Sequence, residues 1–292
     1  MEDTGNKDKK LNWYLKQARL SHTAIGHFNF ATEDVLRGIV EACRDAGAPA
    51  VMVGTSEGEA EFVGTREAVA MVKAMREHFD YPIFLNADHF KSFDKCKEAI
   101  DAGYDSIIID ASKLPNEENI ALAKQVVDFA RSINPDISVE GELGYLKGSS
   151  EVQTKIEISS ADYSKPEEVA DFVARTGVDR MAIVFGNIHG IVTDQEEKLD
   201  IEHFSKIVAA EPRPYYVLHG ASGLKDEDVA ASIKAGITNV HFNTELRVAY
   251  RNAIDKVFHE KPNETTPYKY LGPAVEEVKK LVAQKIRVFM GK

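Results

Sequence analysis

The chain has 292 residues, with 36 Lys and Arg against 47 Asp and Glu, a formal net charge of −11, and 43% hydrophobic residues. That acidic balance excludes a nucleic-acid coat, which needs clustered basic side chains, and no apolar run approaches the roughly 20 residues of a membrane helix. The polar first ten residues lack a secretory segment, and Cys43 and Cys96 have neither metal nor disulfide spacing, so the sequence reads as a cytoplasmic enzyme.

In chain order, a helix over 11–18 precedes the first strand and is expected to close a barrel bottom. Eight short runs rich in apolar and β-branched residues follow, at 25–29, 50–54, 83–88, 106–110, 137–143, 180–185, 215–219 and 237–242. Several are apolar almost throughout (Ile107, Ile108, Ile109; Ala182, Ile183, Val184, Phe185), the pattern of parallel strands covered on both faces. Helical periodicity fills the gaps. In 32–46 it places Val35, Ile39, Val40 and Cys43 on one face, and 66–78 repeats the pattern. Ser92 and Asn116 are positioned to cap helices over 93–102 and 117–133. Further helices are expected over 166–176, 201–209, 226–235 and 244–258, and a terminal one over 273–290.

Strand–helix alternation eight times over predicts a (β/α)8 TIM barrel, one domain over 1–292, with an N-terminal closing helix and a C-terminal helical extension. An open doubly wound sheet alternates too, but no dinucleotide-type glycine fingerprint is present. The longest irregular stretch, 144–166, is expected as a loop on the catalytic face that closes over substrate.

Three predicted strand ends deliver histidines: His89 in Asn86-Ala87-Asp88-His89, His189 in Gly186-Asn187-Ile188-His189-Gly190, and His219 before Gly220-Ala221-Ser222-Gly223. Barrel enzymes place their reactive groups at such ends. One histidine there is more often a hydrogen-bonded core group. Three on separate barrel segments point to a shared cation, with a coordination position left for a substrate oxygen. Asp88, next to His89, is placed to move a proton at a substrate hydroxyl. Glu140 and Glu142 lie two apart and share a strand face, and their inward charge requires a partner or a cation. His27 and His241 read as supporting groups. The Gly220–Gly223 turn and Asn243-Thr244 precede helices, where backbone N–H groups and hydroxyls can hold a phosphate.

These pieces occur in an order that resembles the class II, metal-dependent ketose-bisphosphate aldolases, such as fructose- and tagatose-bisphosphate aldolase. The resemblance runs from about residue 11 to the C-terminus. It is carried by Ala87-Asp88-His89, the stretch from Phe93 to Gly103, Pro115-Asn116-Glu117-Glu118-Asn119, Glu140-Gly141-Glu142-Leu143-Gly144, Gly186-Asn187-Ile188-His189-Gly190 and Leu218-His219-Gly220-Ala221-Ser222-Gly223. It implies His89, His189 and His219 as ligands of zinc (Zn2+) or another divalent ion, Glu142 beside the metal, and Asp88 as acid/base at the C4 hydroxyl. It further implies Gly190, Gly220, Ser222, Asn243 and Thr244 on the dihydroxyacetone phosphate half, and Asn29 and Ser56 along the cleft. A phosphorylated sugar as substrate, a homodimer or homotetramer, and possible use of a monovalent cation complete the expectation.

The chain departs from that family at several places. Ser150 stands where a proton-shuttling glutamate is usual, which makes Glu151, one residue later, the candidate shuttle. Thr193 replaces a lysine, His241 an asparagine and Asn243 the aspartate of fructose-bisphosphate enzymes. Thr266-Pro267-Tyr268 replaces Asp-Pro-Arg near the C-terminus. A tagatose-bisphosphate or ketose 1-phosphate aldolase, a sugar-phosphate epimerase and a non-catalytic sugar-phosphate binder are the alternatives. A Schiff-base aldolase is disfavoured because no predicted strand contains a lysine.

Overall fold

The apolar runs become strands that are buried along almost their whole length, as covered parallel strands must be. In the computed structural model, which describes residues 9–195 and 197–292, the barrel strands are β1 (Ile25–Asn29), β2 (Val51–Ser56), β3 (Ile83–Phe90), β4 (Ser106–Ile109), β5 (Ser138–Leu143), β7 (Arg180–Ile183), β9 (Tyr215–Leu218) and β10 (Ile237–His241). They close in the order β1-β10-β9-β7-β5-β4-β3-β2. All neighbours are parallel, and β1 seals the ring by pairing Ile25 with Asn239 and His27 with His241. The predicted (β/α)8 barrel is the observed architecture.

Helices surround the ring with their apolar faces inward. In Glu33–Asp45 Val35, Ile39, Val40 and Cys43, the face read from the sequence, are buried, together with Leu36 and Ala42. Each fully buried Leu or Ile of this kind stabilises the fold by about 1.5–3 kcal/mol. Ser92 accepts from the Lys95 N–H at 3.3 Å, as its position predicts. Asn116, by contrast, is the first residue of Asn116–Ile133, and Pro115 takes the cap position. The helix Leu11–Ser21 packs Leu11, Tyr14, Leu15 and Ala18 against Ile25, Ala50, Met52 and Phe84, at the N-terminal side of the strands. The terminal helix, Pro267–Phe289, starts earlier than expected, with Pro267 in its first turn, and packs on Glu33–Asp45 and Thr244–Glu260. No helix among the described residues is long and apolar enough to cross a membrane.

Two features correct the sequence reading. The stretch 144–166 is not simply irregular: β6 (Gly148–Gln153) pairs with β8 (His189–Val192) in a separate two-stranded sheet, matching Gly148 to His189 and Val152 to Ile191. Its Gly-Ser-Ser-Glu-Val-Gln sequence has no apolar period, so only a partner remote in the chain satisfies its backbone groups. A short helix, Glu57–Val63, also follows β2. Ser56 caps it and Glu59 reaches back to the Ser56 N–H, a capping box.

Candidate metal centre

The side chains that could bind an ion are gathered at the C-terminal mouth of the barrel. At the end of β3 the pairing with β4 slips between Ala87 and Phe90, and His89 adopts a left-handed backbone with φ of 53°. Such a conformation costs a non-glycine residue about 1–3 kcal/mol. The irregularity re-aims the His89 ring, as strand bulges beside active sites do. His189 opens β8, and His219 directly follows β9. Gly220 then turns with φ of 68°, where a Cβ would lie 1.8 Å from the Ile188 carbonyl oxygen, so only glycine fits.

The three expected histidines come together. Ring centroids are 4.6 Å apart for His89 and His219, 4.9 Å for His89 and His189, and 6.4 Å for His189 and His219. Imidazoles on a tetrahedral zinc, with Zn–N bonds of about 2.0 Å, have centroids roughly 5 Å apart. His89 Nε2 faces His219 Nδ1 at 2.8 Å. The opposite nitrogens have carboxylates: His89 Nδ1 meets Asp110 at 3.1 Å and Glu142 at 3.2 Å, and His219 Nε2 meets Glu140 at 2.6 Å. Outer carboxylates of this kind fix the tautomer and leave the facing nitrogens free for a cation. Glu142 Oε2 is buried and accepts no well-aligned hydrogen bond. His89, Glu142 and His189 offer ligand atoms within 4.8 Å of one another, as do Asp88, His89 and His219. The donor set fits a divalent metal.

Charge supports that fit. Burial disfavours the Asp88 carboxylate, but His89, His27, His219 and the Asn29 amide outweigh it and hold the group at about 2. Burial pushes His189 down to about 3, helped by His89 and His219, which leaves its ring neutral as ligation requires. Burial also lowers His89, but Asp88, Glu142 and Asp110 outweigh it and raise this group well above its ordinary value. The converging carboxylates thus favour positive charge at His89, where a bound cation would displace the ring proton.

Asp88 lies beside this cluster, with Oδ2 accepting from Asn29 Nδ2 at 2.9 Å and Oδ1 3.3 Å from His241 Nδ1. His241 stacks on His27 at 3.7 Å and on His219 at 4.2 Å. Asn29, Ser56, Gly190, Gly220, Ser222, Asn243 and Thr244 all line the pocket over the histidines. Glu151 does not. It is exposed, while the preceding Ser150 lines the pocket and its hydroxyl lies 3.0 Å from that of Thr244. The register of β6 against β8 slips between Gly148 and Val152, and within that irregular stretch Gly148, Ser149 and Ser150 line the pocket while Glu151 does not. Thr193 and Tyr268 are exposed and outside the lining.

Sequence reasoning missed three groups. Asp110 supports His89 from the end of the fourth predicted strand, a location that itself could have flagged it. Arg180 is fully buried and donates to Glu140, Asn86 and Ser138, which nothing local in the sequence announces. Glu59 accepts from Asn29 and Ser56, and burial raises its carboxyl above the ordinary value. The Ser-x-x-Glu spacing of residues 56–59 was the available signal.

A closed parallel barrel with imidazoles and carboxylates converging at its strand ends, beneath a glycine- and hydroxyl-lined pocket, defines a metal-dependent barrel enzyme. Comparison with known proteins narrows this. The family model for class-II fructose-bisphosphate aldolase matches residues 9–292, and the chain belongs to that family of aldehyde-lyases. It is 35% identical over 278 residues to the fructose-bisphosphate aldolases of Staphylococcus epidermidis and Staphylococcus aureus, covering 94% of each chain. Among solved structures it is similar to the YdjI aldolase of Escherichia coli K12, with TM-score 0.82, 29% identity and 96% of each chain covered. It is also similar to a fructose-1,6-bisphosphate aldolase, described as putative, of Coccidioides immitis, with TM-score 0.83, 25% identity, and 97% and 96% covered.

Proposed function

We propose that the protein reversibly cleaves a ketose bisphosphate, fructose 1,6-bisphosphate foremost, to dihydroxyacetone phosphate and glyceraldehyde 3-phosphate, with zinc as its metal. The observation that carries this reading is the meeting of His89 Nε2 and His219 Nδ1 at 2.8 Å, within reach of Asp88. His89, His189 and His219 would hold the ion, with Glu142 at its side. Bound there, zinc supplies Lewis acidity for the negative charge that develops as the carbon–carbon bond breaks.

The chain's own groups do the rest. Asp88 accepts the C4 hydroxyl proton as the C3–C4 bond breaks and the aldehyde leaves, and returns it in the reverse direction. Gly190 in β8, Gly220 and Ser222 in the turn after β9, and Asn243 and Thr244 at the start of Thr244–Glu260 bind the phosphate of the ketone half through N–H groups and hydroxyls. Asn29 orients Asp88 by its hydrogen bond. Proton return to C3 falls to the β6 side of the pocket. Ser150 faces it, and Glu151 would reach it only through a rearrangement of that strand. The two unpaired, buried cysteines favour a reducing, cytoplasmic setting. Exposed Phe62 and Tyr268 offer apolar surface that a homodimer or homotetramer would cover.

The test is triose formation by zinc-loaded protein from fructose and tagatose 1,6-bisphosphates. Cleavage is expected, abolished by a chelator and restored by metal. Asp88→Ala should lower it by about 10²–10⁴ while the metal stays bound. Metal-replete protein that releases no triose from either sugar would overturn the reading.

A further inference from the structure

We propose that Glu59 is a specificity-determining residue: its carboxylate fills a three-donor cradle at the aldehyde end of the pocket and disfavours a second phosphate there. This rests on the aldolase chemistry proposed above and turns its substrate preference from the bisphosphate toward the 1-phosphate. Glu59 Oε2 accepts from the Ser56 N–H at 2.8 Å, the Ser56 hydroxyl at 2.9 Å and Asn29 Nδ2 at 2.8 Å. A capping box needs only the first of these contacts. Three donors converging on one oxygen are the surroundings of a bound anion, and here the chain supplies the anion itself.

The cradle has a definite place relative to the chemistry. Asn29 Nδ2 also donates to Asp88 Oδ2, so a single amide joins Glu59 to the carboxylate assigned to the C4 hydroxyl. Ser56 ends β2 and Glu59 lies in the helix after it, whereas the phosphate-facing turn at Gly220 and Ser222 follows β9, with β10 and β1 between them in the barrel. The two ends of the substrate therefore meet different surroundings. One end meets the Gly220–Gly223 turn, which has its Gly223 N–H on Glu245 Oε1 at 2.7 Å, with the Ser222 hydroxyl accepting from the Glu245 N–H. The other finds donors already taken, with Asp88 as a second negative neighbour. A hydroxyl at this end donates to Glu59. A phosphate must displace Glu59 from its donors and stand beside two carboxylates, and like charges brought together oppose binding. Fructose 1,6-bisphosphate bears that burden and fructose 1-phosphate does not.

The experiment compares fructose 1,6-bisphosphate with fructose 1-phosphate on zinc-loaded wild type, Glu59→Gln and Glu59→Ala, by titration calorimetry and by kcat/KM. Glutamine keeps the capping acceptor and removes the charge, which separates loss of the helix cap from loss of the anion. The selectivity ratio is expected to move toward the bisphosphate by about tenfold in Glu59→Ala and by less in Glu59→Gln. A change in folded fraction alone cancels in this ratio. An unchanged ratio, or one moving toward the monophosphate, overturns the proposal and leaves Glu59 a helix cap. The expected shift in binding without triose release would overturn the catalytic reading alone. Protein that binds neither sugar overturns both.

Discussion

The carboxylate of Glu140 stands 2.6 Å from His219 Nε2, while His219 Nδ1 faces His89 Nε2 at 2.8 Å. Glu140 thereby holds the ring proton on Nε2 and presents the Nδ1 lone pair to the centre of the site. The same carboxylate accepts from Arg180, and both side chains are fully buried. A structural ion pair in the barrel core is therefore continuous with the orientation of a candidate metal ligand.

Glu140→Gln should weaken zinc binding about 10–100-fold, the usual effect of removing such an outer partner. Competition with a chromogenic chelator reads this directly. Unchanged affinity would show that the His219 ring is oriented by something else.

Arg180→Ala leaves Glu140 without its cation in a place that water does not reach, and it strips donors from Asn86 and Ser138. Breaking a buried pair by removing one partner destabilises by about 3–5 kcal/mol. Urea unfolding of the metal-free protein measures it. A loss no larger than that of a surface substitution would contradict the role given to this pair.

Glu197 is buried, neither carboxylate oxygen has a hydrogen-bond partner among the described residues, and burial pushes its carboxyl from 4.5 up to about 8. In the folded protein the group stays protonated up to that pH, whereas the unfolded chain releases the proton above its ordinary value. Its contribution to stability is full below about pH 4.5 and is lost as pH rises toward 8. Glu197→Gln cannot ionise, so the variant should gain on wild type steadily across that window. Urea unfolding at about pH 5 and about pH 9 checks it. An equal difference at both would sink the assignment.

The barrel strands and most helices were legible because their signals are local. Ile107, Ile108 and Ile109 form a strand in any covered parallel sheet, and Val35, Ile39 and Cys43 share a helix face wherever that helix packs. The histidines were legible because strand ends in a barrel share one mouth. Strand β6 was not, since Ser149 and Ser150 carry no apolar period and the strand forms only by pairing Gly148, Val152 and Gln153 with β8. Glu151 lies outside the lining for the same reason: which residues of this irregular strand face the pocket is set by its pairing with β8.

The sequence alone therefore determined the architecture and that His89, His189, His219 and Asp88 reach the mouth, because periodicity, turn chemistry and strand ends depend on near neighbours. Tertiary structure decided the partners. It set Glu140 between His219 and Arg180, turned Ser150 rather than Glu151 inward, and laid the Asn29 amide across Asp88 and Glu59. Those choices follow from register and pleat between strands far apart in the chain, which no local pattern encodes.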